Sequence, residues 1–155
     1  GIREPFLIKW PGVTAAESTC NVPVVSTDFY STILDIAKLA AKPDQHRDST
    51  SLVPLLRQSG TIDRDAIFWH YPHYSNQGGF PGAAMRSGDF KLVERFEDGS
   101  VHLYNLADDI SEQHDLAIQM PDRVASMRKQ LHAWYDEVDA KFRRAKPNGP
   151  EPWRP

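Results

Sequence analysis

Phe90-Lys91-Leu92-Val93-Glu94-Arg95-Phe96-Glu97-Asp98-Gly99-Ser100-Val101-His102-Leu103-Tyr104 is the stretch that decides the fold. Two runs rich in apolar residues stand on either side of Asp98-Gly99. Asp-Gly in that setting is a strong hairpin signal, because a type I′ turn needs φ > 0. Upstream, Ala83–Arg86 faces Phe90–Phe96 across Ser87-Gly88-Asp89, a second turn. Three successive antiparallel strands are expected, with Ala66–Tyr71 a candidate fourth. That run ends at Pro72, which cannot donate to a ladder.

Downstream, Val124, Met127, Leu131, Trp134, Tyr135, Val138 and Phe142 recur every three or four residues after Pro121, a good first-turn residue. This spacing predicts a helix about 30 Å long at 1.5 Å per residue. Its apolar stripe needs a partner, and one face of the strand meander is available. The fold class expected is therefore α+β, an antiparallel sheet of three to four strands packed by a long C-terminal helix. Residues 146–155, with Pro147, Pro150 and Pro152, carry no periodicity and read as a tail.

The first third of the chain has a different character. Phe6-Leu7-Ile8-Lys9-Trp10 is nearly all apolar and closes on Pro11-Gly12, the pattern of a strand and turn. A strand apolar on both faces belongs inside a covered sheet, yet few strands lie nearby to pair with it. Phe29, Ile33, Ile36, Ala37 and Ala40 have helical spacing, with Ser26 the expected N-cap and Pro43 the stop. Residues 43–64 are a polar connection.

Composition narrows the function classes. Net charge is −3 without a long block of one sign, which argues against nucleic acid as the main partner. No run of 18 apolar residues exists, so no membrane span is expected. Cys20 is the only cysteine, which leaves neither a disulfide framework nor a cysteine zinc site.

The candidate chemistry gathers at Phe68-Trp69-His70-Tyr71-Pro72-His73-Tyr74-Ser75-Asn76-Gln77-Gly78-Gly79. His70 and His73 are three apart, but Pro72 between them works against a helical metal pair, and further ligands would be required. Two readings stay open. Either the imidazoles bond to nearby backbone at a strand end, or a polar loop comprising His70, His73, Asn76 and Gln77 lines a ligand cleft. Glycines in such a loop let backbone amides approach closely. Asp108, Asp109, Glu112 and Asp115 lack EF-hand spacing and read as solvated or turn-capping acids. Arg86 and Lys91 read as salt-bridging or solvated cations beside a tight turn.

Several strings, in order, resemble the C-terminal third of the sulfatase family related to arylsulfatase A. Gly1-Ile2-Arg3-Glu4-Pro5 with Lys9-Trp10-Pro11-Gly12 is similar to the segment following that family's catalytic lysine. Asp28-Phe29-Tyr30-Ser31-Thr32-Ile33-Leu34 resembles D-x-x-P-T-(I/L)-L, with Ser31 at the usual proline. Arg86-Ser87-Gly88-Asp89-Phe90-Lys91-Leu92 resembles R-x-G-x-(W/Y)-K-(L/Y). Leu103-Tyr104-Asn105-Leu106 with Asp109-Ile110-Ser111-Glu112-Gln113-His114-Asp115-Leu116-Ala117 resembles L-Y-(D/N)-L-x-x-D-P-x-E-x-x-N-L-A, with Ile110 and Asp115 replacing Pro and Asn.

The resemblance implies an alkaline phosphatase-like fold. Residues 1–42 would end the large α/β domain, 43–64 would connect, and 65–145 would form the C-terminal subdomain. It also implies sulfate-ester hydrolysis by a formylglycine nucleophile and a calcium ion, neither of which maps onto this chain. Cys20-Asn21-Val22-Pro23-Val24 misplaces the proline of Cys/Ser-x-Pro-x-Arg and lacks its arginine, so Cys20 is not the nucleophile. No catalytic residue is expected here, and the catalytic lysine would fall just before Gly1. The expected role is one wall of the cleft for a sulfated small molecule or carbohydrate, placed at His70–Gly79. A stand-alone binding or assembly module with the same fold is the alternative. By resemblance, the location is periplasmic, extracellular or lysosomal. Residues 6–40, apart from a large domain, should dock differently, form a homodimer, or leave an apolar patch exposed.

Overall fold

The computed structural model describes residues 2–76 and 78–155. Its contacts divide the chain into two units, Gly1–Arg64 and Asp65–Pro155.

The second unit contains a four-stranded antiparallel meander, β1 (Ile67–Tyr71), β2 (Gly82–Ser87), β3 (Phe90–Arg95) and β4 (Val101–Asn105), in the order β1-β2-β3-β4. Side chains alternate between faces in a strand, so register decides what each face holds. Phe68, Met85, Leu92 and Leu103 are paired in one row across all four strands. Met85, Leu92 and Leu103 are fully buried there. The next row on that face is His70, Ala83, Glu94 and Val101.

Helix α3 (Pro121–Glu137) covers this face with Met127, Leu131 and Tyr135. It is about 25 Å long rather than 30 Å. Asp139 takes φ 50°, and the Ala140 amide donates to the Tyr135 carbonyl at 2.9 Å, which ends the helix before Phe142. Phe142 still packs against Tyr135 and Phe96 from the segment beyond.

Both turns sit where expected, with different geometry at the second. Gly88, at φ 57°, is the first central residue of a two-residue turn, the place where a type II′ turn needs glycine. At Asp98-Gly99 only Gly99 has positive φ (74°), so the turn is not type I′. It is a four-residue loop, Phe96–Gly99, closed by the Gly99 amide on the Arg95 carbonyl at 3.0 Å and the Arg95 amide on Ser100 at 2.9 Å. A Cβ at Gly99 would also collide with the Trp153 indole. The terminal segment thus returns, and Trp153 stacks on Phe96 at 5.9 Å.

In the first unit, Phe6–Trp10 forms no ladder, contrary to the strand expectation. None of the four strands pairs with it, and Leu7 is 95% exposed. The Pro11-Gly12 turn does form, with Val13 and Thr14 amides both 3.0 Å from the Trp10 carbonyl.

Helix α1 (Asp28–Ile36) is shorter than the apolar spacing implied. Lys38 adopts φ 56° and the Leu39 amide bonds back to Leu34, a left-handed C-terminal stop that leaves Ala40 outside. Its N-cap is Thr27, not Ser26, and the cap makes no side-chain bond. Instead the Asp28 carboxylate accepts the Val25 amide at 2.9 Å. Beyond it lie one 3₁₀ turn, Pro43–Gln45, and the single-turn helix α2 (Val53–Leu56).

Helix α1 is inside-out. Its buried residues are Asp28 and Thr32, while Phe29, Tyr30, Ile33 and Ile36 are exposed. Fully buried Asp28 accepts the Thr50 amide at 3.0 Å and a bidentate bond from Arg64. Thr32 takes the Leu52 amide at 2.9 Å. Ser31, at the usual proline, shares a 2.6 Å hydroxyl contact with Ser49. The polar face of α1 thus organises the connection, while its apolar face stays largely exposed, with the Phe6 ring 5.1 Å from Phe29.

Candidate functional site

The loop after β1 and the Phe96–Gly99 loop emerge at the same end of the sheet, because β1 and β3 both finish there. The structure separates the sequence-predicted residues of the first loop into two groups. His70 belongs to the inward row. Its ring lies 5.3 Å from Phe96, 5.6 Å from Tyr135 and 5.1 Å from Phe142. Nε2 is 2.8 Å from the Lys141 carbonyl, which can only accept, so Nε2 is the donor and holds the proton. Nδ1 is buried without a partner. His73 and Asn76 are exposed in the loop, His73 set edge-on to Tyr71 at 5.4 Å. Gln77 lies outside the described residues.

Around His73 the loop presents Tyr71, Tyr74 and Phe80 to solvent. Their polar support comes from neighbouring elements. The Tyr74 hydroxyl donates to Glu97 at 3.1 Å, and Arg95 pairs with Glu97 at 2.7 Å while lying 4.1 Å over the Phe80 ring. The hydrogen bonds from Arg95, then Tyr74, hold the Glu97 carboxyl below its ordinary value, so it stays an acceptor. The chemistry available is that of a binding surface, with flat aromatic faces, neutral donors and fixed cations on a rigid sheet end.

Sequence reading missed a second constellation behind this surface. Fully buried Glu94 receives Arg128 Nε at 2.7 Å, His132 Nε2 at 2.9 Å and the Tyr135 hydroxyl at 3.0 Å. Burial, then the Glu94 charge and hydrogen bond, push the Tyr135 phenol well above its ordinary value and keep it a donor. These groups fasten α3 to the sheet. Strand alternation places Glu94 inward with Leu92 and Phe96, and helical spacing places 128, 131, 132 and 135 on one side, so the signal was present.

The implied calcium and formylglycine do not fit the residues present. Among the described residues no three His, Cys, Asp or Glu converge as metal ligands. The acids at 108–115 are engaged by their own loop and by residues of β3 and β4. Asp109 accepts the His114 amide at 2.7 Å, and Asp115 accepts those of Leu103 (3.0 Å) and Ala117 (2.9 Å). Lys91 binds Glu112 at 2.6 Å, the salt bridge expected of it, whereas Arg86 donates to the Gly88 carbonyl at 3.1 Å. A groove of about 570 Å³ opens at the opposite end of the sheet, beside Ser87 and the start of α3. Its arginine, Arg123, lies over the Phe90 ring at 4.0 Å. No helix among the described residues is long and apolar enough to cross a membrane.

The family profile described as N-sulphoglucosamine sulphohydrolase, C-terminal, matches residues 1–141. The chain belongs to the sulfatase family, as a C-terminal domain. This sulfatase domain is 34% identical to a sulfatase of Formosa agariphila over 149 residues, 86% of this chain and 27% of the relative. It is 36% identical to arylsulfatase A of Homo sapiens over 110 residues, 70% of this chain and 20% of that protein. Its fold matches, at TM-score 0.55 and 26% identity, a solved structure in complex with its substrate D-glucosamine-2-N,6-O-disulfate, covering 72% of this chain and 23% of that one. The chain thus spans about a quarter of the relatives it matches.

Proposed function

We propose that this domain forms one wall of the substrate cleft of a sulfatase that hydrolyses carbohydrate or aryl sulfate esters. The reacting groups, with calcium and the formylglycine, would come from the remainder of such an enzyme. The observation that carries this reading is the loop end of the sheet. There His73 and Asn76 are exposed beside Tyr71 and Tyr74, while His70 is tied into the aromatic core and fixes the strand end from which the loop leaves. Loop residues carried by a rigid scaffold are the usual place for ligand contacts. Gln77 is included by its position in sequence. The same reading gives the apolar face of α1 an occupant, the larger part of a sulfatase, since the relatives are some four times as long.

The test is kinetic. In a sulfatase carrying this domain, His73→Ala should raise KM by about tenfold while leaving thermal stability within about 0.5 kcal/mol. Unchanged kinetics would remove His73 from the cleft. His70→Ala should instead lower stability by about 2 kcal/mol, because it empties the space between Phe96, Tyr135 and Phe142.

A further inference from the structure

Arg143 is an unusual arginine at the same end of the sheet. It follows α3 and is half-buried. One terminal nitrogen, Nη2, is anchored on the Phe96 carbonyl. The other, Nη1, reaches the Tyr74 hydroxyl at 3.4 Å, and the guanidinium lies 5.9 Å from the Tyr74 ring centre. Its Nε is buried and meets no acceptor. Among the described residues no carboxylate pairs with it. The nearest acid in this chain of bonds, Glu97, is already neutralised by Arg95. A guanidinium with a buried orphan N–H costs stability. Such a group is worth asking a function of.

Its neighbour supplies the other half. Tyr74 is 61% exposed, yet its hydroxyl is held by Glu97, so the ring is a fixed flat face rather than a loose side chain. An apolar ring face suits the C–H face of a pyranose, and a planar fork of donors suits the oxygens of a sulfate or carboxylate. The two lie within contact of each other, about the span from a sugar ring to its own substituent.

We infer that Tyr74 and Arg143 form a recognition subsite for a sulfated sugar ring, with the ring on Tyr74 and its sulfate on Arg143. This inference rests on the cleft-wall reading. It adds that the sulfate bound here is not the one hydrolysed, because the reacting groups lie elsewhere. The substrate carries at least two sulfates, and Arg143 selects for the second.

The experiment uses the 155-residue chain, isotopically labelled, titrated with glucosamine 6-sulfate, unsulfated glucosamine and inorganic sulfate in separate arms. Resonances of the Arg143 guanidinium, the Tyr74 ring, His73 and Asn76 are followed. The sulfated sugar should shift Tyr74 and Arg143 together and bind about tenfold more tightly than the neutral sugar, a preference that added salt reduces. Arg143→Gln should abolish the preference, and Arg143→Lys should keep part of it with the fold unchanged. Equal binding of the two sugars, or a preference that survives Arg143→Gln, overturns the inference. So does an Arg143 shift that inorganic sulfate reproduces alone, which would mean an adventitious ion only. Sugars that move His73 and Asn76 but leave Tyr74 and Arg143 still would sink this subsite and spare the cleft wall. Silence from every loop resonance would sink both.

Discussion

The helices α1 and α3 bury opposite kinds of surface. Helix α3 turns Met127, Leu131 and Tyr135 inward and fastens itself with Arg128 and His132 on the buried Glu94. Helix α1 turns Asp28 and Thr32 inward and leaves Ile33, 63% exposed, with Phe29 and Ile36 outside. A helix gains most of its stability from burying an apolar stripe. The second unit therefore has an extended core of its own, whereas the first combines polar bonds around Asp28 with buried Leu52 and Leu56 and leaves apolar surface exposed. The difference teaches that the second unit buries its helix's apolar stripe within its own contacts, while the first leaves much of its helix's apolar surface exposed.

The largest expected effect is at the polar pivot of the first unit. Asp28→Ala leaves Arg64 and the amides of Val25 and Thr50 without their acceptor and should cost about 3–5 kcal/mol locally. Hydrogen exchange at Thr50, Leu52 and Leu39 should accelerate by orders of magnitude, with β2 and β3 unaffected. Retained protection would mean that the apolar side of α1 is what holds this unit.

Leu131→Ala comes next, at about 3 kcal/mol in urea unfolding of the second unit, since Leu131 is fully buried against the central row of the sheet. A loss below about 1 kcal/mol would show the core to be looser than described.

Acid should separate the units more gently. Burial raises the Asp115 carboxyl, but the amides of Leu103 and Ala117 and the His102 ring outweigh it and leave it below its ordinary 3.8. A depressed carboxyl stabilises fully above the unfolded value and loses that contribution as pH falls through the folded one. Asp115→Asn should therefore flatten the stability of the second unit between about pH 4 and pH 2, measured by tryptophan fluorescence. An unchanged acid limb would remove Asp115 as a contributor. The smallest effect belongs to Ile33→Lys, within about 0.5 kcal/mol of wild type, with any self-association of the chain reduced in ultracentrifugation.

Much of the second unit was legible because local patterns and final contacts agree. Alternation around Leu92 and Leu103, the glycines at 88 and 99, and the three-four spacing of Met127, Leu131 and Tyr135 all act within a few residues. What escaped was decided at longer range. The Phe6–Trp10 strand failed because β structure needs a neighbour, and none of the described strands serves it. The role of α1's polar face escaped because its partners, Thr50, Leu52 and Arg64, lie twenty or more residues on. At the loop end the two histidines looked equivalent in sequence. Register separates them, since His70 pairs with Ala83 on the inward face and His73 lies beyond the ladder. Arg143 was hidden because Tyr74, its partner, is 69 residues away.

The central claim is that these residues shape a cleft whose reacting groups are supplied by other parts of a sulfatase. Incubating the purified 155-residue chain with calcium and an aryl sulfate tests it most directly. The expected result is no turnover above the uncatalysed rate. Steady release of sulfate, abolished by Cys20→Ala or by chelation, would contradict it.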